Sequence, residues 1–159
     1  MAEILRKPLV LKDGLIQQIQ AGEILDADVQ EVNLISATNG EVGAITMAQP
    51  VYVSASGTVK LAKADALASA HAYALCYEAS VPAGNLGYFQ VSGQIELADW
   101  TAIAGTATLV PNAYYFLDPS SAGKITVTAP STVGQVVTVI GMALSTTLLD
   151  INTEKPILL

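Results

Sequence analysis

Short runs of alternating apolar and polar side chains, each closed by a turn signal, limit most strongly how this chain can fold. In Lys124-Ile-Thr-Val-Thr128 the period of two puts Ile125 and Val127 on one side and Thr126 and Thr128 on the other. Residues 51–54, 58–61, 88–91, 94–97 and 114–117 read the same way, and 135–140 is a β-branched run bounded by Gly134 and Gly141. Between them stand Ser56-Gly57, Pro82-Ala-Gly-Asn85, Ser92-Gly93, Asp118-Pro119 and Ala122-Gly123, residue pairs that favour chain reversal. Only 64–70 has helical character, with Asp65 as a candidate cap. The pattern predicts a mainly β fold: an antiparallel β-sandwich or barrel with one short helix.

The β runs recur in order, as an internal pseudo-repeat over about 49–97 and 112–159. Val51-Tyr-Val53, a turn at Gly57 and Thr58-Val-Lys-Leu61 correspond to Ala113-Tyr-Tyr-Phe-Leu117, a turn at Gly123 and Lys124-Ile-Thr-Val127. After a spacer, 71–79 corresponds to 138–146, and the copies end on Gln94-Ile-Glu-Leu97 and Lys155-Pro-Ile-Leu-Leu159. The opening differs. Pro8-Leu-Val-Leu11, Lys12-Asp-Gly14 and Leu15-Ile-Gln-Gln-Ile19 spell a hairpin around an Asp-Gly turn. A lone hairpin is marginal in water and must dock on something. Residues 1–37 are therefore read as an N-terminal arm and 38–159 as the β domain, with a soft boundary at Ala37-Thr-Asn-Gly40.

Composition bears on partners. Seven Lys and Arg stand against fourteen Asp and Glu, for a formal net charge of −7. That balance disfavours nucleic-acid backbones and anionic lipid as partners. Three of the seven cations, Arg6, Lys7 and Lys12, fall in the first dozen residues, so the arm carries most of what could meet an acidic surface. Charged residues make up 13% of the chain, half of the usual share of about 25%, which leaves much uncharged surface for interfaces. The start has no apolar run of signal-peptide length. The uncharged stretch 125–149 contains Pro130, Gly134, Gln135 and many Ser and Thr, and its alternation is that of strands, not of a membrane helix.

Residue chemistry points away from catalysis. His71 is the only histidine, set among alanines, and no serine sits in a Gly-x-Ser-x-Gly elbow. Cys76 stands alone in Ala-Leu-Cys-Tyr, so neither a disulfide framework nor a cysteine metal cage can form within the chain, and it reads as a small core residue. Asp26 and Asp28 could share a strand face but lack a third ligand. Ser121-Ala-Gly-Lys-Ile125 fails as a phosphate loop, because Asp118 stands where its first glycine belongs and Ile125 where Ser or Thr belongs. Glu96 and Asp99 are candidates for paired-carboxylate work only as any two acids are, and Trp100 with Tyr114 and Tyr115 could make a sugar platform or a core. No catalytic, cofactor or metal residues are assigned.

The opening Lys7-Pro-Leu-Val-Leu-Lys-Asp-Gly14, with Ala21-Gly-Glu-Ile-Leu25, resembles the start of many tailed-phage structural proteins. The run 87–97, Trp100-Thr-Ala-Ile103 and Leu109-Val-Pro-Asn-Ala-Tyr-Tyr-Phe-Leu117 is similar to the capsid cement (head decoration) proteins of tailed bacteriophages. So are Gly123-Lys-Ile-Thr126, Ala129-Pro130, Gly134-Gln-Val-Val137, Gly141-Met-Ala-Leu-Ser145 and Pro156-Ile-Leu-Leu159, and related segments occur in phage tail fibres. Asn112 departs from the pattern where a glycine is expected, although asparagine still tolerates φ > 0.

The resemblance implies a homotrimer on the outer capsid surface of the virion, made in the host cytoplasm. Its partners would be the major capsid protein and itself, with no enzymatic activity and no cofactor, nucleic acid or membrane. The contacts with capsid or neighbouring subunit are expected on the arm, at Arg6, Lys7, Pro8, Leu9, Leu11, Leu15, Ile16 and Ile19. The alternative is a trimeric tail-fibre or receptor-binding module that recognises a host glycan or protein through exposed aromatics such as Trp100 or Tyr88.

Overall fold

The computed structural model describes residues 9–12, 15–18 and 32–159. The chain divides into two units, 1–30 and 31–159. In the first, β1 (Leu9–Lys12) and β2 (Leu15–Gln18) pair antiparallel with Lys12 opposite Leu15, the register of a tight hairpin. The second unit begins with β3 (Asn33–Asn39), β4 (Ile45–Thr46), β5 (Pro50–Ala55), β6 (Thr58–Leu61), α1 (Leu67–Ala70), β7 (Ala74–Cys76), β8 (Ser80–Val81) and β9 (Leu86–Glu96). It continues with α2 (Thr101–Ala104), β10 (Tyr114–Leu117), β11 (Ile125–Thr126), β12 (Val136–Val137), β13 (Val139–Ala143), β14 (Leu148–Asn152) and β15 (Ile157–Leu158).

Nine of these strands join in the order β11-β10-β13-β14-β9-β3-β6-β5-β7, and β7 pairs back onto β9. The strands β9, β3, β6, β5 and β7 thus close a five-stranded barrel, and β14, β13, β10 and β11 continue from it as an open sheet. The mainly β expectation holds, with two refinements. One pairing, β3 with β6, is parallel, and a second short helix, α2, lies between the halves. The orders β6-β5-β7-β9 in the barrel and β11-β10-β13-β14 in the open sheet are equivalent: in each, a hairpin is followed by a strand on the far side of its first strand and then by a fourth strand beside that one. The two closing segments differ in their partners: Gln94 to Glu96 lies in β9 against β14, while β15 pairs with β12.

Alternation explains how the barrel fills. Ala37, Val51, Val59, Ala74, Cys76 and Phe89 point inward with Ile45 and Val81, all buried. A five-stranded barrel is narrow, and one large ring, Phe89, with small and β-branched neighbours suffices to fill it. Gly87 is required beside it, because a Cβ there would collide with the Val81 methyl groups. Buried Asn39 closes one end, its Nδ2 donating to the carbonyls of Val81 at 2.8 Å and Gly43 at 2.9 Å while its Oδ1 accepts from the Glu41 N–H.

The second core lies under the open sheet and includes Leu75, Ile95, Trp100, Ile103, Leu109, Tyr115, Leu117, Ile125, Ile140, Leu149 and Ile151. Trp100 Nε1–H donates to the Thr147 carbonyl at 2.9 Å, and the Val110 N–H donates to the Tyr115 hydroxyl at 3.0 Å. Both large rings therefore keep a polar partner when buried.

Three local expectations are corrected. Ser92-Gly93 is not a chain reversal: β9 runs through it, with Gly93 at φ 93, and the bend lets its first part pair with β3 and β7 and its last part with β14. The run 135–140 splits at buried Thr138, whose hydroxyl donates to the Ala70 carbonyl at 2.9 Å and whose own carbonyl takes the Leu117 N–H. Gly141, read as the end of that run, lies inside β13. Asp65 does not cap α1: Ala66 holds the N-cap, and the Asp65 carboxylate pairs with Lys63 at 2.8 Å and accepts from the Ser69 hydroxyl. Those contacts, Lys63 foremost, hold its pKa below the ordinary aspartate value.

Asn112 adopts φ 62, the left-handed conformation expected where glycine would be the usual choice. Ala48 does the same at φ 64 inside the core, and its N–H donates to the Cys76 carbonyl at 2.8 Å.

Two predictions follow from packing. A Cβ at Gly141 would run into the Asp150 carbonyl group of the neighbouring strand, whereas one at Gly43 meets nothing within 4 Å. Gly141→Ala should cost about 2–4 kcal/mol in chemical denaturation and Gly43→Ala less than about 0.5 kcal/mol. Cys76 is buried, and desolvation pushes its thiol up to about 11. Thiol reagents at pH 8 should modify native protein about a hundredfold more slowly than unfolded protein. The unfolded thiol ionises near the ordinary value of 9.0 while the folded one keeps its proton. Stability should therefore fall as pH rises from 9 towards 11, by a smaller step in Cys76→Ala.

Candidate functional surface

The barrel's inward side chains fix what its outward ones present. With Phe89 and Gly87 inside, β9 turns Leu86 and Tyr88 outward, and with Ala37 inside, β3 turns out Leu34, Ser36 and Thr38. Register sets Ser36 beside Tyr88 and Thr38 beside Leu86. On the other flank the Tyr77 N–H donates to the Tyr88 carbonyl at 3.1 Å, so the two tyrosines are cross-strand neighbours. The result is a wall of large apolar side chains in water: Leu86 is 66% exposed, Tyr88 53%, Tyr77 41% and Leu34 38%. Among the described residues no charged side chain interrupts it. Glu78 stands at its rim, its carboxylate accepting the Tyr88 N–H at 2.8 Å. Outward positions of an antiparallel sheet ordinarily carry polar residues, so this wall is the surface feature that calls for a function.

The open sheet carries a lesser apolar face. Tyr114 is exposed opposite half-buried Met142, but Asp150 and Gln94 continue the same row, which mixes it with polar groups.

The reactive groups do not converge. His71 is exposed at the C-terminal end of α1. Cys76 is sealed in the barrel, its Sγ 3.4 Å from the Glu78 carbonyl and 3.8 Å from that of Ile45. Glu96 accepts a hydrogen bond from the Thr147 hydroxyl at 3.0 Å, and Asp99 accepts the Thr101 N–H at 2.8 Å; Thr101, its side chain first and its N–H second, lowers the Asp99 pKa. Glu96 thus ties β9 to the turn before β14, and Asp99 shapes its own turn. Gly123, at φ 71, turns the chain into β11, and its N–H donates to the Ala62 carbonyl, which accounts for Gly123-Lys124 without a phosphate. Among the described residues, no group of three His, Cys, Asp or Glu side chains could hold a metal ion, and no helix is long and apolar enough to cross a membrane.

The sugar platform is dismantled by packing. Trp100 and Tyr115 lie in the second core and only Tyr114 of the three reaches water. Of the expected contact residues, Arg6, Lys7, Pro8 and Ile19 lie outside the described residues, as do Asp26 and Asp28. Leu9 and Leu11 fall on β1 and Leu15 and Ile16 on β2, with Leu11 directly opposite Ile16. Sequence reading singled out Tyr88 but not Tyr77, Leu86 or Leu34 as its companions. The alternation Leu86-Gly-Tyr88 against Gly87-Tyr-Phe89 contained the signal, but only the strand order brings β7, β9 and β3 side by side.

No family model matches the chain, and no curated protein does. Among solved structures it is similar to a chain from the capsid of Myoviridae Phage XM1, at 17% identity and a TM-score of 0.46, with 89% of this chain and 96% of that chain covered. Likeness at this level leaves the function to be argued from the chain's own residues.

Proposed function

We propose that this chain is a structural, non-enzymatic component of a tailed-phage virion. In this reading it is a trimeric cement protein that sits on the outer surface of the capsid and ties neighbouring major capsid subunits together. The observation that carries the proposal is the exposed, uncharged Leu86–Tyr88–Tyr77 wall on a closed barrel, with Cys76 sealed inside it and Glu96 and Asp99 bonded within the fold. A rigid body with an apolar outward face is suited to assembly, through which copies held together add contact area across the seams of a shell. Specific contact needs about 1,000 Å² or more of buried surface, and many copies acting together multiply weak contacts. The sequence resemblance to cement proteins supports the same reading, with Arg6, Lys7, Pro8, Leu9, Leu11, Leu15, Ile16 and Ile19 as the capsid- or subunit-facing segment.

The tail-fibre or receptor-binding alternative keeps Tyr88 as an exposed aromatic but loses Trp100, which is fully buried. Copy number and position in the particle separate the two. Quantitative mass spectrometry and immunogold labelling of particles from the encoding phage should find hundreds of copies spread over the head. A few copies confined to the tail would favour the alternative, and absence from the particle would overturn both.

A further inference from the structure

Around a rotation axis, every side chain meets its own copies, so a charge placed there faces the same charge. Where a chain of net charge −7 packs against its own copies at such an axis, an uncharged face avoids that repulsion. The wall made by Leu34, Tyr77, Leu86 and Tyr88 is such a face, with small hydroxyls at Ser36 and Thr38 between them and Glu78 held at the rim by the Tyr88 N–H. We infer that this wall is where copies of the chain meet, with Leu86 and Tyr88 of each copy turned towards a shared symmetry axis.

Other occupants fit less well. The wall offers no Lys or Arg to an acidic partner or a phosphate. Tyrosines suit a protein interface, since each supplies a large rigid ring with few torsions to freeze and a hydroxyl that stays wet at the edge.

With about 200 Å² for a fully exposed large side chain, the four expose roughly 400 Å² per copy. Two such faces bury on the order of 800 Å², below the size of stable interfaces. Association in solution is thus weak and dependent on concentration, and a surface that gathers many copies would strengthen it.

Sedimentation velocity on the full chain, from about 10 μM to about 1 mM, tests this directly. The native protein should associate within that range. Leu86→Glu and Tyr88→Glu should each weaken association at least tenfold while keeping the native thermal melt, because their side chains point into water. Val42→Glu, a charge added at a fully exposed apolar position outside the wall, should associate as the native chain does. As a second readout, Leu86→Cys should form an intercopy disulfide under mild oxidation, free of background from buried Cys76. A native chain that stays monomeric throughout, wall variants that associate normally, or equal weakening by Val42→Glu would each overturn the inference. The inference deepens the reading of the chain as an assembling structural protein, yet the two fail separately. A chain absent from particles that still associates through the wall would sink only the virion role. A chain abundant on particles with unaffected wall variants would sink only the wall.

Discussion

Strand β9 is the constraint on which the rest of the second unit depends, because it hydrogen-bonds to three other strands along its eleven residues. Its first part closes the barrel between β3 and β7, and its last part is the seam onto which β14 brings the open sheet. A straight strand could not serve both, since the barrel wall curves away from the plane of the sheet. Gly93 at φ 93 supplies the bend, and Gln90 just before it is fully buried, its Nε2 donating to the carbonyls of Ser92 and Gln94 at 3.1 Å each. The side-chain amide thus braces the backbone across its own bend, at the place where the two cores adjoin. Leu75, directly opposite Gln90, belongs to the second core, while Cys76 beside it belongs to the first. Successive residues of one short strand therefore serve different cores, which is how alternation in a shared wall couples them.

Close approach between neighbouring segments explains several of the glycines. Gly87 passes the Val81 side chain and Gly141 passes the Asp150 carbonyl, and each lies within a strand where an alternating pattern would place a side chain. Positive φ is not the issue at either position; space is. Gly123, by contrast, needs both, with φ 71 and the Leu61 side chain 2.8 Å from where a Cβ would stand.

Much of the architecture was legible because it rests on local rules. The run 114–117 emerged as β10 at the expected residues, and 58–61 as β6, since alternation with a flanking turn residue is sufficient there. What misled was glycine read only as punctuation. Gly93 and Gly141 lie within strands, and the information that distinguishes a bend or a close pass from a reversal is held by the partner strand, not by the neighbours in sequence. The same holds for the wall. Leu86 and Tyr88 are visibly on one face of β9, but their continuity with Tyr77 and Leu34 depends on a topology in which β7 and β3 flank β9, and no local pattern encodes that. Trp100 and Tyr115 were ambiguous between platform and core because an aromatic ring with one polar atom suits either. Thr147 and Val110, which satisfy those polar atoms from the backbone, lie 47 and 5 residues away.

The barrel's own design makes the wall costly to a solitary molecule. A narrow interior filled by one phenylalanine and a set of small residues buries little apolar area per strand, so the outer face contributes to stability only where something covers it. The open sheet covers part of it: Leu75 faces outward from the barrel and is fully buried in the second core. Leu34, Tyr77, Leu86 and Tyr88 lie on the same outward side of adjoining strands and, among the described residues, receive no such cover. A sequence free to place Lys, Glu or Thr at those positions would gain solubility and lose nothing in the barrel interior, which these side chains do not enter. The barrel interior therefore does not explain their apolar character, which sets these positions apart from the polar outward residues of an ordinary antiparallel sheet.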